Sequence, residues 1–166
     1  MEAANVLLQE TFPSIGGFEN ILFQQAPHQR SRLLPVSANI FHMGKSEHFI
    51  ATVYSGTNSI DYMDSLYPGT KPKVAVIKQI KEAYILEPGK FVVKSVFVQK
   101  QTGVDCGAFS VANLWCVLKG IDPRSIRIRE STIRSDLYKS FKVRKLDFHH
   151  RQCNPRQAAK SYSFNF

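Results

Sequence analysis

Acidic residues are scarce in this chain: 13 Asp and Glu stand against 22 Lys and Arg in 166 residues, a formal charge of +9. An excess of that size points to an acidic partner, nucleic acid or an anionic protein surface, or else to a solvated basic face. Cysteine is sparse too. Cys106, Cys116 and Cys153 are odd in number and lack a metal-ligand spacing, which argues for reduced thiols and against a disulfide framework. No apolar run approaches the length that spans a bilayer. The opening MEAANVLLQETFP carries acidic residues and lacks the basic-then-apolar layout of a signal peptide, so an intracellular protein, nuclear or cytoplasmic and without membrane contact, is expected. Internal repeats and low-complexity linkers are absent as well.

What is present is a chain with 43% hydrophobic residues, long enough for one sizeable core and too short for two. One domain over 1–166 is expected. Much of the basic excess falls late, in RSIRIRE, KSFKVRK and HHRQCNPRQAAK, which marks a basic tail from about 147, expected to be mobile. The pattern reads as α+β. NVLLQETF predicts a short helix ending at Pro13, and SIGGFEN a turn. LLPVSANIFHM and HFIATVY predict strands joined across 44–47, and SIDYMDSL a third strand closing at Pro68 and Gly69. In KVAVIKQIKEAYI, Val74, Ile77, Ile80 and Tyr84 recur at helical spacing, so an amphipathic helix should lie on the sheet. A strand over 91–98, a helix from Cys106 and a basic helix over 131–144 complete the reading.

The stretch VQKQTGVDCGAF places a Cys at a break between strand and helix. Gly103 breaks the run after the strand, Asp105 is a plausible N-cap, and Cys106 then lies in the first helical turn, where the positive end of the helix macrodipole favours the thiolate. The plain alternative is a small buried hydrophobe. A nucleophilic Cys needs a base within reach and a third group to orient that base. His48 opens the strand HFIATVY, and Asp64 follows near the end of SIDYMDSL, which would bring the two together if the strands pair as a hairpin. Asp61 is the rival orienter. Gln99 and Gln101 lie just upstream of Cys106, where a side-chain amide could join the Cys106 backbone N–H in binding an oxyanion. Cys116, beside Trp115 in an apolar helix, reads as core. HHRQC, 149–153, offers three metal ligands and no fourth at a usual spacing.

HFIATVY, YMDSLYPG and VQKQTGVDCGAF, in the order His, Asp, Gln, Cys, resemble the ubiquitin-like-protein proteases, the family of the SUMO-specific cysteine proteases and the adenovirus protease. The likeness covers about 33–120, and the flanks FPSIGGFENILF and STIRSDLYKSF are similar to divergent or transposon-borne members. The resemblance implies a papain-like α+β fold, a central mixed sheet flanked by helices with the nucleophile at a helix N-terminus. It implies Cys106 as nucleophile, His48 as general base and then acid, and Asp64 as orienter. Phe49 stands where members usually carry the Trp that covers a narrow tunnel for a Gly-Gly tail; Phe can stack over glycines but is smaller and lacks the indole N–H. For the oxyanion, the adenovirus spacing selects Gln99 and the SUMO-protease spacing lands on Lys100. An oriented amide is the better donor than a mobile ammonium, so Gln99 is preferred, with Gln101 second.

The expected activity is therefore that of a monomeric cysteine peptidase or isopeptidase that needs no cofactor or metal. It would cut after the Gly-Gly terminus of a ubiquitin-like modifier or its conjugates through an acyl-enzyme. The alternatives are a polyprotein-processing protease and a catalytically idle module, derived from a mobile element, that holds a modifier or nucleic acid. Nucleic acid is the less favoured partner, because the late basic segment has no interleaved aromatic before Tyr162 to stack a base.

Overall fold

The computed structural model describes residues 1–18, 36–43, 47–56, 58–84, 86 and 88–165. The chain opens with helix α1, Glu2–Thr11, which buries Ala4, Leu7 and Leu8. Strands β1 (Gly16–Gly17), β2 (Ser37–His42), β3 (Phe49–Tyr54) and β4 (Ser59–Met63) follow, then helix α2 (Val74–Ala83) and strand β5 (Lys90–Ser95). Helix α3 spans Cys106–Leu118. Strand β6 (Ile126–Ile128), helix α4 (Ile133–Val143), and strands β7 (His150–Gln152) and β8 (Lys160–Asn165) complete the chain.

Six strands form one mixed sheet in the order β1-β2-β3-β4-β5-β8, and β6 pairs with β7 in a separate ribbon. The expected hairpin is present: β3 and β4 are antiparallel, with Ala51 opposite Met63 and Tyr54 opposite Ile60. β5 then runs parallel to β4, Ser59 facing Val92. The start of β3 and the ends of β4 and β5 consequently meet at one end of the sheet, and α3 begins there.

Both faces of the sheet are covered, which is why β3 reads as a near-continuous apolar run and β2 is buried along most of its length, Ser37 and Asn39 included. On one face Ala38, Ile40, Ala51, Val53 and Met63 pack against Leu7 and Leu8 of α1 and Phe109, Ala112 and Trp115 of α3. On the other, Phe41, Ile50, Ile60 and Val93 pack against Val76, Ile77 and Ile80 of α2 and against Tyr84. α3, apolar nearly all round, is the central buried helix. No helix among the described residues is long and apolar enough to cross a membrane.

Several expectations shift in detail. Val74 is 86% exposed and Val76 takes its place in the core: Val74 opens α2, and the face that meets the sheet is Val76, Ile77 and Ile80. Gly16 and Gly17 of the expected turn pair with β2 as a parallel strand; Gly17 has φ +88° and a Cβ there would strike the Ala38 carbonyl, so no other residue fits. Residues 19–20 of that turn, 33–35 of the expected strand and 44–46 of the expected connection lie outside the described residues. The segment expected as a mobile tail from about 147 carries β7 and β8. β8 pairs with β5 over six residues, from Lys90 opposite Asn165 to Ser95 opposite Lys160, and stacks Phe164 on Phe91.

Candidate active site

Cys106 is the first residue of α3 and is 9% exposed. Asp105 holds the N-cap position as expected, yet its side chain makes no capping bond; its carboxylate pairs with Arg134 instead. The Cys106 Sγ lies 3.9 Å from the carbonyl oxygen of Glu47, the residue before His48. His48, also buried, sets its Nε2 2.9 Å from Asp64 Oδ1. The spacing of sixteen residues between them is closed by the β3–β4 hairpin, since His48 precedes β3 and Asp64 follows β4 at the same sheet end.

Asp64 is a saturated acceptor. Its Oδ1 also takes the backbone N–H of Leu66 at 2.9 Å and of Tyr67 at 3.0 Å, and its Oδ2 takes the Tyr62 hydroxyl at 2.8 Å. Burial pushes this carboxyl up, but the bonds from His48, the Tyr67 backbone and Tyr62, with the charge of His48, outweigh it and hold Asp64 below the usual carboxylate range. The same bond raises His48 most; burial opposes, and the neighbouring Cys106 side chain adds to the rise. Burial and the Asp64 charge hold Tyr62 far above the ordinary phenol value, so it serves as a neutral donor. A thiol, an imidazole and a carboxylate joined in this order can pass a proton from sulfur to nitrogen and stabilise the resulting charge pair.

Asp61, the rival orienter, sits mid-strand opposite Val53, and burial raises its pKa against the pull of Lys94. Phe49 begins β3; its ring lies 3.5 Å from where a Cβ on Gly107 would be, next to Cys106, and stacks obliquely on His42 at 4.9 Å. The two glutamines are placed differently. Gln99 is spent on strand β6: its Oε1 accepts from Ile128 N–H at 2.8 Å and its Nε2 donates to Ile128 O at 3.1 Å. Gln101 is tied to the Asp64 segment, its backbone N–H donating to Ser65 O at 2.8 Å and its Oε1 accepting from the Ser65 hydroxyl at 2.6 Å, while its Nε2 donates to Gly103 O at 2.8 Å. Tyr62 and Ser65, which orient Asp64 and Gln101, were not singled out from sequence; the pattern YMDS, with its polar residues alternating on β4's end, is the signal that held them. Cys116 is buried in the core, where burial pushes its thiol up to about 12. His149 bonds Asp136 at 2.7 Å and Cys153 lies 3.9 Å from Arg124 O, so HHRQC is spread over structural contacts.

A six-stranded mixed sheet with a buried helix starting beside the ends of β3, β4 and β5 defines the fold as α+β, and a solved structure shares it. The C-terminal Ulp1 protease domain in complex with Smt3, the yeast ortholog of SUMO, is 11% identical, with a TM-score of 0.51 over 73% of this chain and 64% of that one. The SUMO protease Ulp1 with its catalytic cysteine oxidised to a sulfonic acid is 12% identical over 74% of this chain and 65% of that one, TM-score 0.48. An ASFV protease is 16% identical over 72% of this chain and 45% of that one, TM-score 0.39. The chain thus spans less than two thirds of the length of these neighbours. No protein-family model and no curated protein matches the sequence.

Proposed function

We propose that this protein is a cysteine peptidase that cleaves after the Gly-Gly terminus of a ubiquitin-like modifier. The observation that carries this is the 2.9 Å His48–Asp64 pair set beside a Cys at the first turn of a buried helix. With Nε2 engaged by Asp64, the other ring nitrogen is left to take the Cys106 proton. The thiolate attacks the carbonyl carbon, and the oxyanion receives the Cys106 backbone N–H at the helix N-terminus. Its second donor is Gln101, favoured over Gln99 on position: each amide donates once from Nε2, Gln101 to Gly103 O and Gln99 to Ile128 O, but Gln101 is held between Ser65, beside Asp64, and Gly103, just ahead of Cys106, while Gln99 is fixed on β6. Collapse expels the amine, which leaves with the proton from His48. Water, deprotonated by His48, then hydrolyses the thioester and frees the modifier's carboxylate and the thiol. Phe49, beside Gly107, supplies a flat apolar wall for a tail with no side chains. The Ulp1 domain bound to Smt3 supports a modifier as partner through its shared fold.

The test uses modifier precursors that carry an extension after Gly-Gly. The wild-type protein should release the extension at that bond, and Cys106→Ala or His48→Ala should each cut turnover by about a thousandfold or more, with the double variant barely worse. Cleavage elsewhere, or cleavage that survives Cys106→Ala, would refute the reading.

A further inference from the structure

The segment that leads into Cys106 has a second use for its other side. It forms one wall of a cleft of about 1100 Å³ whose opposite wall is the β6–β7 ribbon and the chain around it. Five permanent cations line this cleft, Lys100, Arg127, Arg129, Arg151 and Arg156, against two carboxylates, Glu130 and Asp147. Both carboxylates are already engaged. Glu130 accepts from the backbone N–H of Thr102 at 2.7 Å and of Gly103 at 3.3 Å, and Asp147 from that of Phe148 at 3.0 Å.

The cations are arranged at a cost. Arg127 stands directly opposite Arg151 in the β6–β7 register, a like-charge pair that weakens a ribbon of only three residue pairs. Arg127, Arg129 and Arg151 are exposed, and among the described residues their side chains have no acidic partner. Arg156, by contrast, is fixed, its Nη1 donating to the carbonyls of Pro123, Arg124 and Ile126. A concave site holding unpaired guanidinium groups of one sign fits an anion with planar oxygens.

The surroundings select polypeptide. Phe148, the one Phe, Tyr or Trp ring lining the cleft, is buried, and the two histidine rings there are tied to Asp136 and to the Phe148 carbonyl, which leaves little for a base to stack on inside the cleft. Toward Cys106 two apolar side chains are exposed, Tyr67 at 49% and Val104 at 83%, beside the Asp105–Arg134 pair. Tyr67 also turns its ring edge-on to His48 at 6.5 Å, and Pro68, the next residue, lines the cleft, so the cleft begins one residue along the chain from a neighbour of His48. We propose that this cleft is a subsite for an acidic stretch of the polypeptide substrate, bound beside the reacting bond by Arg127, Arg129 and Arg151. Its position along a substrate rests on the peptidase reading; the chemistry of its ligand does not.

Binding is measured on the Cys106→Ala protein by fluorescence anisotropy with three labelled probes: a peptide alternating Glu and Gly, the matching Gln and Gly peptide, and a single-stranded DNA of the same length. The acidic peptide should bind, the neutral one should not, and Arg127→Gln with Arg151→Gln should weaken the acidic peptide about tenfold or more. The double variant relieves a like-charge pair, so its thermal midpoint should not fall; Arg129→Gln, outside that pair, should weaken the same probe. In the wild-type background, cleavage of a neutral Gly-Gly substrate should be unchanged by these substitutions. No binding of the acidic peptide, binding indifferent to the three arginines, or DNA bound more tightly through the same residues would overturn the proposal. Because the binding arm needs no turnover, failure there leaves the peptidase reading intact, and absent turnover with binding intact overturns only that reading.

Discussion

Replacing Asp64 with Asn and with Ala separates charge from hydrogen bonding at the base of the site. Four donors converge on this carboxylate: His48 Nε2, Leu66 N–H, Tyr67 N–H and the Tyr62 hydroxyl, all between 2.8 and 3.0 Å. Ala removes every acceptor and leaves His48 and Tyr62 buried without partners, which should cost about 3–5 kcal/mol once partial relaxation is allowed for. Asn keeps one oxygen for the three donors on Oδ1, and its amide can donate to a rotated Tyr62 hydroxyl. Only charge assistance is lost, about 1–2 kcal/mol.

The pH dependence follows from the two shifts. Asp64 is depressed in the fold, so it adds stability that is present above its ordinary pKa of about 4 and lost as pH falls through the folded value. His48 is raised, so it adds stability that is full below about 6.5 and lost as pH rises through the folded value. Asn should flatten both edges. It should also move the alkaline limb of Cys106 alkylation to lower pH, because an imidazolium without its carboxylate deprotonates sooner. Urea unfolding followed on Trp115, the single tryptophan, and iodoacetamide rates across pH measure both. Equal destabilisation by Asn and Ala, or an unmoved alkaline limb in Asn, would refute this account of Asp64.

Among the three thiols, Cys106 should alkylate fastest at neutral pH and lose that advantage in His48→Ala, while Cys116, pushed up to about 12 by burial, should stay inert in the folded protein; peptide mapping after labelling reads this. Gln101→Ala should lower kcat by about a hundredfold or more with KM little changed. Gln99→Ala should instead lower stability by about 1–3 kcal/mol, because Ile128 loses partners for its buried N–H and carbonyl, and leave kcat far less affected. Tyr84→Phe should cost about 1–2 kcal/mol in urea unfolding, since the hydroxyl that meets Thr52 Oγ1 at 2.7 Å is fully buried with it beneath α2.

The His48–Asp64 contact and the place of Cys106 at the start of α3 were legible because local signals coincide there. The apolar helix that opens at Cys106 and the hairpin that brings His48 to Asp64 can each be read over a few residues, whereas the strand expected over 91–98 ends at Ser95. Gln99 was harder. Spacing to Cys106 alone favours it, but its side chain is claimed by Ile128, 29 positions away, on a strand whose three residues carry too little pattern to be placed. The same holds for the C-terminal region, where charge suggested a tail. KSYSFN does alternate polar and aromatic residues, yet the partner that makes it a strand is β5, some seventy positions earlier, and only the sheet edge left open there explains it. Val74 and Val76 were exchanged because periodicity gives the helical face but not its first turn.

A panel of ubiquitin-like proteins, each ending in Gly-Gly with a thiol-trapping group in place of the final carboxylate, tests the central claim most directly. One or more members should form a single covalent adduct that maps to Cys106, at a rate that falls sharply in His48→Ala and is abolished in Cys106→Ala. Adducts formed equally at Cys153, or no adduct with any member while the protein is folded, would contradict a modifier-cleaving thiol site built on Cys106, His48 and Asp64.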